Sequence, residues 1–550
     1  MKTSSPSFAG PWLPLALLGV VLIAPMALRP RAPAAAPGEK SLVIITPNNE
    51  AIRYEFGRAF EAQHLARTGE KVHVDWRAIG GTSDCVKYLN SVFIASFENY
   101  WRNTLHKPWT DEAKRSFASA EVKPAATPEA DTPEQAVRRA FLDSSVGCGI
   151  DLFFGGGTFD FAQQANEGRL VDCGFVAKHP EIFGPSVIPE KLGGEAYWDA
   201  KGRWIGVCLA SFGICSNTDS LARLGILTPP TRWEDMADPR YLRELALANP
   251  AQSGSITRAF ELLIQQQIAE EIARQTAATD AKTLSPDEKT TAIRTGWQRA
   301  MQLILKISAN ARYFTDSSTK ISLDVAAGDA AAGMTIDFYG RFESEAVRHP
   351  DGSSRMQFRE AEGGTSFSPD PIGLLRGAPQ AELAREFIAW TMSPEGQKLW
   401  SWKLGTPDGP QRYALRRLPM LPSLYGPEFR EFRADPEVDP YAESARFVYH
   451  SEWTGPLFKP IAFIVRVMCI DGHDELASAW SALVAAHFPP QATAAFLDVS
   501  AVDYVAASTT IKTTLGNSKN KIAEVQLAKS LADHFRAQFR SAEALARAGK

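Results

Sequence analysis

Residues 41–60 read SLVIITPNNEAIRYEFGRAF. An unbroken apolar run from Leu42 to Ile45 ends at Thr46 and Pro47, and proline lacks the N–H that a sheet ladder needs. Asn48 or Asn49 then offers a helix N-cap, and Glu50 places a carboxylate in the first turn. Ile52, Phe56, Ala59 and Phe60 follow at helical spacing. Next, VHVDWRAI (72–79) alternates as a strand, and GGTSDCVKYLNSVF (80–93) supplies a glycine turn, a capping hydroxyl and a second helix. Strand, helix, strand and helix on short connections predict an α/β domain with a parallel sheet.

The rhythm breaks over 95–147, where VKPAATPEADTPE (122–134) has the composition of a mobile surface insertion. It resumes at GIDLFFGGGTFDFAQQANEGRLV (149–171), a strand, three glycines and a helix. WIGVCLASFGICSN (204–217) is a long apolar β run, and 244–267 is strand, loop and helix again. GDAAAGMTIDFYGR (328–341) is a short apolar strand that ends in Asp337, Phe338 and Tyr339. SFSPDPIGLLRG (366–377) is another extended segment, leading into an amphipathic helix broken at Ser393–Pro394. Beyond about 420 a proline-rich tract gives way to helical patterns at 458–487 and 520–548.

At 550 residues the chain exceeds one ordinary core, so at least two lobes are expected. A net charge of −4 argues against a nucleic-acid partner, which needs a strongly basic face. Lys2 precedes the uncharged stretch 11–28, followed by small residues at 32–37. That is the pattern of a secretion signal or membrane tether, and the sequence does not choose between them. Export places the protein in the periplasm or elsewhere outside the cytoplasm. Six cysteines without CxxC spacing support neither a zinc ribbon nor a redox pair, and Cys208 and Cys215 read as core residues. CIDGHDE (469–475) reads as a solvated loop rather than a metal motif. No G-x-S-x-G and no H-E-x-x-H occurs, so a hydrolase has no visible nucleophile or metal centre.

One feature recurs: a strand whose C-terminal end meets Gly, Ser, Thr or Asn at a helix start. It occurs at TPNNE (46–50), GGTS (80–83), GGGTF (155–159) and NPAQSGS (249–255). Helix N-termini leave backbone N–H groups unpaired and carry positive dipole charge, so they accept anions. In an open α/β sheet ligands bind off the carboxyl ends of the strands.

In order and in wording, seven stretches between 41 and about 410 resemble the bacterial extracellular solute-binding proteins of ABC importers. The subgroup is that of the ferric-ion, aminoethylphosphonate and hexose-phosphate binders. The most telling are SLVIITPNNEAIRYEFGRAF, GIDLFFGGGTFDFAQQANEGRL, GRWIGVCLASFGICSNTDSLARLG and SSTKISLDVAAGDAAAGMTIDFYGR. The resemblance implies an α/β, two-lobe clamshell of type II with hinge strands crossing between lobes, to which this chain adds an insertion and a C-terminal helical extension. Lobe 1 is then 41–208 with 366–415, carrying the insertion 95–147. Lobe 2 is 209–365, and 416–550 is the extension.

Ferric-ion members place two adjacent tyrosines where Phe338 and Tyr339 stand, and a histidine near Asn48. One phenol is too few for a hard trivalent cation. The residues expected around a solute are therefore Asn48, Asn49, Gly81, Thr82, Ser83, Gly156, Ser253, Gly254, Ser255, Ser317, Ser318, Thr319, Asp337 and Tyr339. Neutral donors of this kind suit a phosphate, phosphonate or carboxylate, with Asp337 accepting from a hydroxyl or amine. The expected function is non-catalytic capture of such a solute for delivery to ABC permease subunits, with no cofactor and no metal. A ferric-ion carrier and a membrane-tethered sensor or assembly protein are the alternatives.

Overall fold

A computed structural model describes residues 40–185, 187–278, 283–516 and 520–550. The secretion-signal or tether segment lies outside them. Among the described residues, fourteen strands form two main sheets and one small hairpin. The first sheet holds β1 (Lys40–Ile45), β2 (Val72–Arg77), β3 (Leu152–Phe154) and β4 (Leu170–Val171). The hairpin is β5 (Lys191–Leu192) with β6 (Glu195–Ala196). β7 (Ile205–Ala210) belongs to the first sheet, whereas β8 (Phe212–Asn217), β9 (Leu245–Ala248), β10 (Ala311–Thr315), β11 (Ala332–Ile336) and β12 (Met356–Glu360) form the second. β13 (Ser368–Leu375) and β14 (Leu418–Pro419) return to the first.

Sheet order is β14-β7-β13-β3-β1-β2 in one lobe, with β4 beside β13, and β10-β9-β11-β8-β12 in the other. β1 runs parallel to β2 and β3, and β9 parallel to β10 and β11, as the strand–helix–strand pattern requires. The strands that carry the chain across, β7, β8 and β13, pair antiparallel with their neighbours. This is the two-lobe α/β clamshell expected from the sequence. Each lobe has its own core. One packs Leu42, Ile44, Phe56, Phe60, Phe154 and Trp400, the other Leu247, Phe260, Trp297, Ile304 and Met334.

The chain passes between the sheets three times. The first passage is Ser211, between β7 and β8, and the second is 361–367, between β12 and β13. The third lies in the C-terminal extension, between Tyr441, packed with the first core, and Phe447, packed with the second. Before this passage the extension is bound to the first lobe. β14 pairs with β7 at Leu418↔Leu209, and just ahead of the extension the fully buried Glu55 accepts the backbone N–H of Gln411, Arg412 and Tyr413 at 2.6–3.0 Å. After it, the helices Phe458–Val465, His473–Ala485, Pro490–Phe496 and Lys521–Arg547 join the second core. Ser451–Ile470 is apolar enough to cross a membrane, with mean hydropathy 1.3, but most of it is buried in that core.

Two sequence expectations change. Residues 95–147 are largely helical, and Phe97, Phe117 and Phe141 stack into a third core 5.0–5.4 Å apart. Within them the supposed mobile stretch 122–134 is anchored, because the Arg139 guanidinium grips Asp131 (2.5 Å) and the Ala125 carbonyl (2.6 Å). CIDGHDE is a tight turn at Asp471–Gly472 between two helical ends rather than an open loop, with the His473 ring 3.1 Å from the Ser308 carbonyl. Apolar flanks outweigh the local polarity in both places. All six cysteines are free thiols, and all but Cys148 are buried.

Candidate functional site

The C-terminal ends of β1 and β3 are tied at the turn that follows each. The Thr46 hydroxyl donates to the Phe154 carbonyl at 2.6 Å and accepts the Asn48 N–H at 3.0 Å. The Asn48 amide reaches the same carbonyl at 3.5 Å. It lies over Gly155, where a Cβ would come within 2.7 Å of it. Gly156 has φ +119°, and a Cβ there would sit 2.6 Å from Thr82 Cγ2. Glycine is required by both the backbone angle and the space. The turns at 46–49, 80–83 and 155–157 therefore meet in the first lobe. Gly81 faces the second lobe, since a Cβ on it would stand 3.8 Å from the Gln252 carbonyl. The 249–255 turn thus comes to the same place from the other side.

Two of the expected ligand side chains also cap helices through their oxygens. Asn49 Oδ1 accepts the Ile52 N–H at 3.1 Å, and Ser253 Oγ accepts the Ile256 N–H at 3.4 Å. Thr82 and Ser83 open the helix Thr82–Asn99, Gly254 and Ser255 open Gly254–Ala278, and Ser318 and Thr319 open Ser318–Ala327 with Ser317 as N-cap. What these starts present is backbone N–H and the positive end of the dipole.

Between the sheets, at the start of the helix Asp337–Ala346, lies a buried charged floor. Asp337 is fully buried. Its Oδ1 accepts the Phe338 N–H at 2.8 Å, its Oδ2 lies 3.4 Å from Arg341 Nη1, and its own N–H donates to Ser211. Burial pushes its carboxyl up to about 6, against the pull of Arg341 and Arg417. Arg341 also pairs with Glu360. Arg417, almost fully buried, donates to Asp370 of β13 at 2.5 Å and lies 4.3 Å from the Phe338 ring centroid. Tyr339 packs on Phe338 at 4.1 Å, its hydroxyl reaches Thr319, and burial pushes its pKa up. Asp337 and Tyr339 are thus set in one ionic layer.

Arg417 and Asp370 were missed by sequence reasoning. Asp370 had a signal, a charge inside the apolar segment SFSPDPIGLL. Arg417 had none, because its place depends on β14 pairing with β7 at Leu418↔Leu209.

The extension adds a second wall. The Phe458 ring stacks on Phe159 at 4.7 Å, and Lys459 acts on the half-buried Asp160, whose carboxyl burial raises to about 6. Behind it, the Arg258 guanidinium joins Glu195 of β6 to Glu261, and lies 4.0 Å over the Tyr449 ring. Ser366 also donates to Glu195. Among the described residues, no three His, Cys, Asp or Glu side chains come together as a metal site.

The fold is a two-lobed α/β clamshell whose helix starts converge between the lobes. Residues 150–412, just under half of the chain, match the family of bacterial extracellular solute-binding proteins, in line with the resemblance read from the sequence. A Haemophilus influenzae protein named only as uncharacterized is 27% identical over 257 residues, 46% of this chain and 61% of that protein. The phosphoglycerate transport regulatory protein PgtC of Salmonella typhimurium is 24% identical over 195 residues, 36% and 40% respectively. The chain thus spans less than two thirds of the length of each of these relatives, 61% and 40%. Among solved structures, the fructose-6-phosphate-bound periplasmic binding protein AfuA of Actinobacillus pleuropneumoniae aligns over 66% of this chain and 82% of its own, at 17% identity and TM-score 0.40. Iron-bound HitA of Pseudomonas aeruginosa aligns over 78% and 99%, at 12% identity and TM-score 0.43.

Proposed function

We propose that this chain captures a small phosphate-, phosphonate- or carboxylate-bearing solute outside the cytoplasmic membrane, by closure of two lobes, and passes it to the permease subunits of an ABC importer. The lobes in this reading are 41–208 with 366–415 and 209–365, with 416–550 bracing both. One observation carries it: the turn at 80–83 of one lobe, which meets the turn at 155–157, faces the turn at 249–255 of the other. The helix starts at Thr82, Thr158 and Gly254 then direct unpaired N–H groups toward one guest. Tyr339 and Thr319 supply hydroxyls, and Asn48 an amide. The name of PgtC, with phosphoglycerate in it, supports the same chemistry.

Closure follows the guest's preference for the closed state, so binding raises the melting temperature. The test is a thermal-shift panel of three-carbon phosphorylated acids, hexose phosphates, aminoalkylphosphonates, dicarboxylates and ferric citrate. A shift of several degrees with one anionic class, lost in Tyr339→Ala, supports the reading. Stabilisation by iron alone would replace it with the ferric alternative, and no shift with any compound would overturn it.

A second reading, a tethered sensor, is favoured by the extension itself. Its helices pack on the second lobe, and PgtC is named as a regulatory protein. Fractionation separates the two, since a sensor stays with membranes after a salt wash and a carrier is released with the soluble periplasm.

A further inference from the structure

A cavity of about 870 Å3 opens away from the interlobe cleft, where the C-terminal extension packs on the second lobe. The loop 226–241 and Lys306 of the helix Pro286–Ala309 make one side, and Trp480, Phe488 and Phe496 of the extension make the other. A second hollow of about 630 Å3 adjoins it, and the two share Phe488, Thr493 and Leu497.

Most charges around the cavity are already occupied. Arg240 pairs with Asp238 at 2.5 Å, and Glu234 accepts from Gln267 at 2.5 Å and faces Arg232 at 3.4 Å. Asp235 is exposed to water and accepts two backbone N–H groups at 2.8 and 2.9 Å. Lys306 is the exception. Half-buried, its ammonium has no ion-pair or hydrogen-bond partner among the described residues, and the one charge acting on it is the like charge of Arg299. Burial pushes its pKa down. A half-buried cation without a side-chain counter-ion carries a desolvation cost, and an anion in the cavity would offset it.

The apolar side is also held in a costly form. His487 and Phe488 have φ of +56° and +58°, a backbone region that bulky L-residues avoid. The backbone there is closed by the Phe488 N–H donating to the Leu483 carbonyl at 2.9 Å. Phe488 stays 37% exposed on the ridge between the hollows, 5.4 Å from the Trp480 ring. A cation without a partner on one wall and an exposed aromatic ridge on the other suit a guest with one negative end and an apolar body.

We propose that this cavity is a second ligand site, one that takes an amphipathic monocarboxylate, its carboxylate on Lys306 and its apolar body along Phe488, Trp480 and Pro229. The site stands apart from the interlobe cleft and exists only because the extension packs against the second lobe.

Isothermal titration of the full chain with decanoate and with decanol tests it. Decanoate is expected to bind, with affinity about tenfold weaker in both Lys306→Met and Phe488→Ala. Decanol should bind weakly, and equally to the wild type and to Lys306→Met. Without ligand, Lys306→Met should melt higher than the wild type, because an uncompensated cation is gone. The proposal is overturned if decanoate does not bind, or binds wild type and Lys306→Met alike. It is equally overturned if Tyr339→Ala in the cleft, rather than Lys306→Met, abolishes binding, or if Lys306→Met melts lower.

Discussion

Asp337 shows how one residue acquires its chemistry from its surroundings. In sequence it is an acid at the end of an apolar strand, and nothing local shows that its carboxyl is fully enclosed. Burial moves its pKa from an ordinary 3.8 to about 6. Across that window the native state keeps a proton that the unfolded chain has released. Stability therefore falls as pH rises from about 4 to 6, by roughly 3 kcal/mol at most for this group. Asp160 titrates in the same range. Melting curves from pH 4 to 7 should show a shallower decline in Asp337→Asn than in the wild type, and identical slopes would refute the assignment. Arg417 behaves differently, since its value lies in its partner. Arg417→Met leaves Asp370 enclosed without its cation and should cost about 3 kcal/mol in urea unfolding. Arg417→Met with Asp370→Asn should cost less than Arg417→Met alone, whereas simple additivity would mean that the pair is not coupled.

At the scale of elements, the strand-to-helix turns were the legible part. Apolar runs, proline stops and N-capping residues located β1, the helix after it and the glycine turns, because these depend on neighbours in sequence. The sequence could not show which side chains such a turn consumes. Asn49 and Ser253 read as donors to a guest, and each also accepts a backbone N–H to cap its own helix. Gly156→Ala isolates the geometry of one turn. It forces a Cβ into Thr82 at a left-handed backbone angle, which should lower stability by about 1–3 kcal/mol. It should also displace the start of the helix Thr82–Asn99 and abolish ligand-induced thermal shifts. A variant that keeps a full shift would remove this turn from the binding surface.

For the whole molecule, the third passage between lobes sets this chain apart from a hinge of two crossings. Phe458 on Phe159, Arg258 between Glu195 and Glu261, and Arg416 on Glu345 all bridge the halves. Opening has to break some of these contacts, so the extension biases the lobes toward closure. Stacked aromatic pairs contribute about 0.5–1.5 kcal/mol beyond burial. Phe458→Ala should therefore increase the radius of gyration of the ligand-free protein in solution scattering and speed ligand release severalfold. Unchanged scattering and release rates would show that the contact does not restrain the hinge.

The sequence alone determined the α/β character and the helical extension, because periodicity and caps are properties of neighbouring residues, and the two-lobe clamshell followed from its resemblance to the solute-binding family. Tertiary structure decided what brings distant residues into one layer. The pairing of β14 with β7 buries Arg417 against Asp370, and packing of the extension on the second lobe leaves Lys306 without a counter-ion. Charge pairing and desolvation depend on distances through space, and those distances are fixed only once the sheets have assembled.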